Sequence, residues 1–274
     1  MNLVSKLGVA ALAAALTAGL TVPAASAASA GNAPLARKAA YKPTLKASSP
    51  TVEATKKLVL SGKVKPATKG TKVVLEKRIG DSKKWSTEAK LKVSKKGTFT
   101  YSDKPKTVGI RYYRVVAPKV GKVKAGKSKP VKVTVMAWRS LVKTQFRQTE
   151  ATTGTYGAKI AGKLYEPAIV GVAGFAQGYG DWNLDSTCTT LRMRIGTGDV
   201  GDTNATSHIV LADALKGTTL FDKSFALTQS EPATFDITGV FRLSFTWTSN
   251  VAGSAAPQAG AQPVLAQPEL LCAS

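Results

Sequence analysis

The chain is 274 residues long with a formal net charge of +23, from 39 Lys and Arg against 16 Asp and Glu, and it holds one His and two Cys. Three Cys and His side chains in all are too few for a structural zinc site, which takes four ligands. The charge is confined to one half: residues 31–138 carry 28 basic against 5 acidic side chains, and residues 139–274 carry 10 against 11. A field of one sign concentrates polyanions, so the two halves face different partners.

Lys6 closes a short positive segment, residues 7–22 form an apolar run rich in Ala and Leu, and Ala25-Ser26-Ala27 or Ala28-Ser29-Ala30 offers a small-residue cleavage site. This is the pattern of a secretory signal peptide over residues 1–30, and it predicts a secreted protein, extracellular or associated with the cell wall. At about 16 residues the run falls short of the roughly 20 needed to span a bilayer, so no transmembrane segment is expected in the mature chain. Cys188 and Cys272 both lie in the neutral half, and an even count in an oxidising compartment reads as one disulfide.

From residue 41 to residue 136 short segments alternate apolar with polar residues: Leu58, Leu60, Val64; Val73, Leu75; Leu91, Val93; Phe99, Tyr101; Val131, Val133, Val135. Pro66, Gly70, Asp81, Gly97, Pro105, Gly109 and Gly126 mark the turns. This is the period-two signature of half-buried strands. Seven strands in about 95 residues fit an Ig-like or fibronectin type III-like β-sandwich over residues 31–137, in which Tyr112 or Tyr113 could form a tyrosine corner. The same alternation puts Lys90, Lys92 and Lys132 on the surface. Together with Lys95 and Lys96 they are the candidate polyanion-binding residues. Lys outnumbers Arg by 24 to 4 in this half, which favours diffuse contact with phosphate or carboxylate over bidentate recognition. No recognition helix and few stacking aromatics accompany the charge, so no specific nucleic acid is expected. Anionic wall polymers are the expected polyanion.

At residues 136–139 the composition changes: Lys nearly disappears and Thr, Gly and aromatics rise. Alternation continues through Leu191, Met193, Ile195; Ile209, Leu211; Phe235, Ile237; and Leu243, Phe245, Trp247. Asp213 to Gly217 reads as a hairpin turn, and residues 251–268, rich in Ala, Gly, Pro and Gln, read as a long loop. The order Leu164-Tyr165, Gly171-Val172, Trp182-Asn183-Leu184, Cys188 to Gly196, Asp199, Leu220-Phe221-Asp222, Phe235-Asp236-Ile237-Thr238-Gly239 and Arg242-Leu243 resembles the NPCBM family of secreted jelly-roll modules. The resemblance covers about half of the chain. It implies a jelly-roll sandwich over residues 138–274 with a non-catalytic role in glycan binding, and with the alternation of the first half the expected fold is all-β, an Ig-like sandwich followed by a jelly roll.

Sugar sites combine an aromatic face for the pyranose with a few polar groups that fix its orientation. Tyr156, Tyr165, Phe175, Tyr179 and Trp182 cluster in a Gly-rich stretch, with Asn183, Gln177 and Asp181 as polar companions. For Trp182 packing at the start of a strand is the competing reading. Asp199 and Asp202, in a Gly, Asp and Asn stretch read as a loop, are weak candidates for calcium, which takes six to eight oxygens. The catalytic inventory is thin. His208 sits in an alternating strand without a Gly-x-Ser-x-Gly elbow, and both Cys are expected to be bonded. The chain reads as no enzyme, with no cofactor and no metal. Its expected partners are a cell-wall polyanion and a glycan, and the alternative is a structural spacer or protein-docking module.

Overall fold

The computed structural model describes residues 39–67, 70–155 and 157–274. The expected signal peptide, residues 1–30, and the candidate Tyr156 lie outside them. Every regular element among the described residues is a strand except one 3₁₀ turn, Leu141–Lys143. The fold is all-β.

The first sandwich comprises β1 (Lys42–Ala47), β2 (Thr51–Glu53), β3 (Leu58–Lys65), β4 (Lys72–Ile79), β5 (Ser86–Lys92), β6 (Thr98–Asp103), β7 (Gly109–Ala117), β8 (Gly126–Lys127) and the first half of β9 (Val131–Ser140). One sheet runs β1-β3-β6 and the other β5-β4-β7-β9, with β2 added in parallel to β9. Leu58, Leu60, Val64, Val73, Leu75, Phe99, Val115 and Val133 meet in one core. Alternation sends the lysines between them outward. Tyr113 is fully buried, and its hydroxyl donates to Asp103 Oδ2 at 2.6 Å, a side-chain acceptor where a tyrosine corner uses the backbone. Burial, reinforced by Asp103, pushes the Tyr113 phenol well above its ordinary value.

The second half continues with β10 (Gln148–Glu150), β11 (Thr152–Thr155), β12 (Ala158–Ile160), β13 (Lys163–Tyr165), β14 (Ala168–Gly171), β15 (Gln177–Asn183), β16 (Cys188–Gly201), β17 (Ala205–Asp213), β18 (Thr218–Ala226), β19 (Ser230–Asp236), β20 (Arg242–Val251) and β21 (Ala261–Cys272). Five strands in the order β10-β15-β20-β17-β18 form one sheet. The facing sheet pairs β11 with β14, β14 with β21, β21 with β16 and β16 with β19. Trp182, Leu191, Ile195, Ile209, Leu211, Phe245, Trp247, Leu265 and Leu270 fill the space between the sheets. A fully buried side chain of this kind contributes about 1.5–3 kcal/mol.

Strand β9 belongs to both sandwiches: residues 131–135 pair with β7, and residues 137–140 pair with the end of β21. The compositional break at residues 136–139 therefore falls inside a strand. Cys188 and Cys272 face each other in the β16–β21 register and are bonded across 84 residues, as the even count predicts.

Two loop expectations need correction. Residues 251–268 are not one loop, because the last strand begins at Ala261 and carries both Pro263 and Pro268. Proline removes a ladder hydrogen bond and is tolerated at bulges. The β16–β21 register shifts between Arg192 and Arg194, the interval opposite Pro268. The loop expected around Asp199 is also strand, since β16 continues to Gly201.

Candidate functional site

Strand β15, with the sequence Gln-Gly-Tyr-Gly-Asp-Trp-Asn, is the starting point. Its inward positions are Gly178, Gly180 and Trp182. A Cβ on Gly178 would lie 2.7 Å from the Trp247 ring, and one on Gly180 would lie 2.6 Å from the Phe146 ring. Only glycine lets the strand settle onto those two aromatics. The outward positions are then Gln177, Tyr179, Asp181 and Asn183, on the open face of the five-stranded sheet.

The register builds a groove across that face. Glu150 faces Tyr179, Tyr179 faces Thr246, Thr246 faces Val210, and Val210 faces Asp222. A second rung, two residues along, sets Gln177 against Thr248 and Thr248 against His208. Strands lie about 4.8 Å apart, so five of them give a rung of roughly 19 Å. The groove encloses about 300 Å3, with Glu150, Gln177, Tyr179, His208, Thr246 and Thr248 in its lining. His208 Nε2 stands 2.6 Å from Asp222 Oδ1, and both side chains are well exposed. At the β10 edge Arg147 holds Asp181 through two contacts, Nε to Oδ1 at 2.7 Å and Nη2 to Oδ2 at 2.5 Å. That bond raises the Arg147 guanidinium above its ordinary value.

The structure distributes the described candidate glycan residues over five places. Tyr179 and Gln177 stand in the groove. Trp182 is fully buried, with its ring centroid 4.7 Å from that of Phe146. It is a core residue, which corrects the expectation that it meets a ligand. Phe175 is 51% exposed in the turn before β15 and is not among the groove's lining residues. Asn183 lies at the far end of β15, where its Oδ1 accepts from Arg242 Nε at 3.1 Å. Tyr165 belongs to a different surface, beside β16. His208, Glu150, Thr246 and Thr248 are groove residues that the sequence reading missed. Alternation could have found His208, because Ile209 and Leu211 point inward.

No family model and no curated protein matches this chain. Among solved structures it is similar to the second CBM51 and INT domains of Clostridium perfringens ZmpB, with a TM-score of 0.37 and 8% identity over 60% of this chain and 38% of that one. The M60 catalytic domain with both CBM51 domains of the same protein gives 0.41 and 10%, over 85% and 31%. The second CBM51 domain in complex with GlcNAc, again with INT domains, gives 0.39 and 9%, over 84% and 48%. The chain spans less than half the length of each. Likeness this loose bears on neither ligand nor mechanism.

Asp199 Oδ2 accepts from the amide of Gly162 at 2.8 Å. Among the described residues no three His, Cys, Asp or Glu side chains gather as a metal-holding group. The five lysine candidates are all exposed: Lys90 and Lys92 on β5, Lys95 and Lys96 in the turn after it, and Lys132 on β9. Lys92 stands directly opposite Lys72, and on the other sheet Lys42 stands opposite Lys65. No helix among the described residues is long and apolar enough to cross a membrane.

Proposed function

We propose that the chain is a secreted, non-catalytic protein of the cell envelope. Its jelly-roll-like second sandwich holds glycan in the Tyr179 groove, and its Ig-like, lysine-rich first sandwich contacts anionic wall polymers. The observation that carries the reading is the groove itself, where a half-buried phenol ring stands beside a ladder of hydroxyl, amide, imidazole and carboxylate groups. A pyranose needs that combination, an apolar face for its C–H groups and polar groups for its hydroxyls. Glu150 in the lining and Asp222 beside His208 add negative charge, and the lining holds no Lys or Arg, which favours a neutral sugar.

Lysine placement supports the second contact. Like charges directly opposite each other on neighbouring strands destabilise a sheet. The Lys72/Lys92 and Lys42/Lys65 pairs accept that cost, and a bound polyanion relieves it. Against catalysis, both Cys are consumed in the disulfide, and His208 lies on an open face that does not exclude water.

Retention of the mature chain on purified cell wall, before and after removal of teichoic acids and at low and high salt, tests both contacts. The reading expects salt-sensitive retention that depends on the anionic polymer, together with a salt-resistant remainder on stripped wall. No retention under any condition favours the second reading, a spacer or protein-docking module. That reading draws its support from the strand the two sandwiches share.

A further inference from the structure

We infer that the second sandwich carries another saccharide site, on its opposite sheet, selective for a sugar that bears a carboxylate, such as a uronic acid. A groove of about 300 Å3 runs over the outer face of β16, β19 and β21, with Tyr165, Arg192, Arg194, Thr234, Gln267 and Glu269 in its lining. Alternation supplies the charge: Arg192 and Arg194 flank the buried Met193, so both guanidinium groups point outward.

The two arginines differ in what they have left to give. Arg192 lies over the Trp138 ring at 3.8 Å, and its Nε and Nη2 hold Glu269 Oε2 at 2.9 and 2.8 Å. Its charge is compensated. Arg194 hydrogen-bonds through Nη1 to the carbonyl and hydroxyl of Ser230, at 3.2 and 3.0 Å. Neither partner is charged. These bonds orient the guanidinium and leave its charge unpaired among the described residues. The ring of Tyr165 lies 5.8 Å from that guanidinium and 4.9 Å from Lys163 Nζ. The groove thus joins a half-buried aromatic ring and a pre-oriented guanidinium, and the Lys163 ammonium stands beside that ring. The planar guanidinium fork matches a carboxylate, and the ring suits the apolar face of the pyranose that bears it.

Charge separates the two grooves of this sandwich. Glu150 lines the Tyr179 groove and Asp222 borders it, and both repel the carboxylate that Arg194 attracts. Gln267 adds a second mark of a built site. It holds a left-handed φ of 50°, and its Nε2 donates to the carbonyl of Glu166 at 3.1 Å. Non-glycine residues in that region are uncommon and cluster at binding sites.

The test is calorimetric titration of the whole mature chain with oligomers of glucuronate and of galacturonate, against neutral glucose and galactose oligomers of the same length. High salt screens the lysines of the first sandwich. An acidic oligomer is expected to bind at least tenfold tighter than its neutral counterpart. Arg194→Ala should lose about tenfold or more of that affinity, equivalent to about 1.4 kcal/mol, and Tyr165→Ala a comparable amount. Arg194→Lys should restore part of it, and Tyr179→Ala should leave it unchanged. Thermal melts confirm that each variant is folded. Failure of both acidic oligomers to bind overturns the inference. So does equal affinity of folded Tyr179→Ala for the neutral oligomers, undiminished affinity in folded Arg194→Ala and Tyr165→Ala, or loss of acidic-sugar binding on Tyr179→Ala.

Discussion

Tyr179 and Trp182 stand three residues apart on β15, and their roles are opposite. An odd separation on a strand puts two side chains on opposite faces. The expectation of one aromatic cluster took no account of alternation along this Gly-rich stretch; as a strand it can offer a ligand one ring and not the other. Tyr179→Ala should weaken neutral-glycan binding tenfold or more while moving stability by no more than about 0.5 kcal/mol, the usual range for a surface change. Trp182→Ala should cost about 3–5 kcal/mol in denaturant unfolding. Asp213 belongs to the same scale. Burial pulls its carboxyl up, but bonds from Lys216 and from the Leu215 and Lys216 amides outweigh burial and hold it below the ordinary value. A depressed carboxylate adds stability that is present above its unfolded value, about 3.9, and is lost as pH falls through the folded value. Melts of wild type and Asp213→Asn should therefore differ near neutral pH and converge in acid. A difference that persists unchanged below that range would exclude ionisation as its source.

At the scale of the strand, most of the fold was legible in period-two alternation. The core positions of β3, β4, β16, β17 and β20 coincide with the apolar residues read from sequence. The last strand was not legible. Pro263 and Pro268 count against a central strand, and the register shifts against β16 that accommodate them, with the extra residue on β21 at Pro268 and the extra residues on β16 beyond Pro263, are properties of the pairing. The groove was half legible. Gly-Tyr-Gly announces a close backbone approach, but the Thr246, Thr248 and His208 side chains reach Tyr179 through register, and register is a long-range property. Two substitutions test this level. Gly178→Ala must push β15 off the Trp247 ring, which should cost about 1–3 kcal/mol as overpacking and weaken sugar binding with Tyr179 still in place. Lys92→Glu turns the Lys72/Lys92 pair into an attractive one and should raise stability by about 0.2–1 kcal/mol while reducing salt-sensitive wall retention. Retention as strong as that of wild type would remove the lysine face from the polyanion contact.

For the whole molecule the shared strand has the larger consequence. Because β9 pairs with β7 and with β21, the two cores are joined by a strand instead of a linker. Calorimetry should show one cooperative unfolding transition over the described residues. Two well-separated transitions would mean that β9 does not couple the cores. The Cys188–Cys272 bond fastens β21 to β16 beside the same junction, and its removal should cost about 2–5 kcal/mol. The charge division read from composition survives in this frame as a division of surfaces, with lysines on the first sandwich and the Tyr179 groove on the second. The central claim is that the groove holds glycan, and titration of neutral wall-derived glycan fragments into wild type and Tyr179→Ala, at a salt concentration that silences the lysines, tests it most directly. The account predicts saturable binding to wild type and a loss of tenfold or more in the folded variant, about 1.4 kcal/mol. Equal binding to both, or to neither, would contradict it.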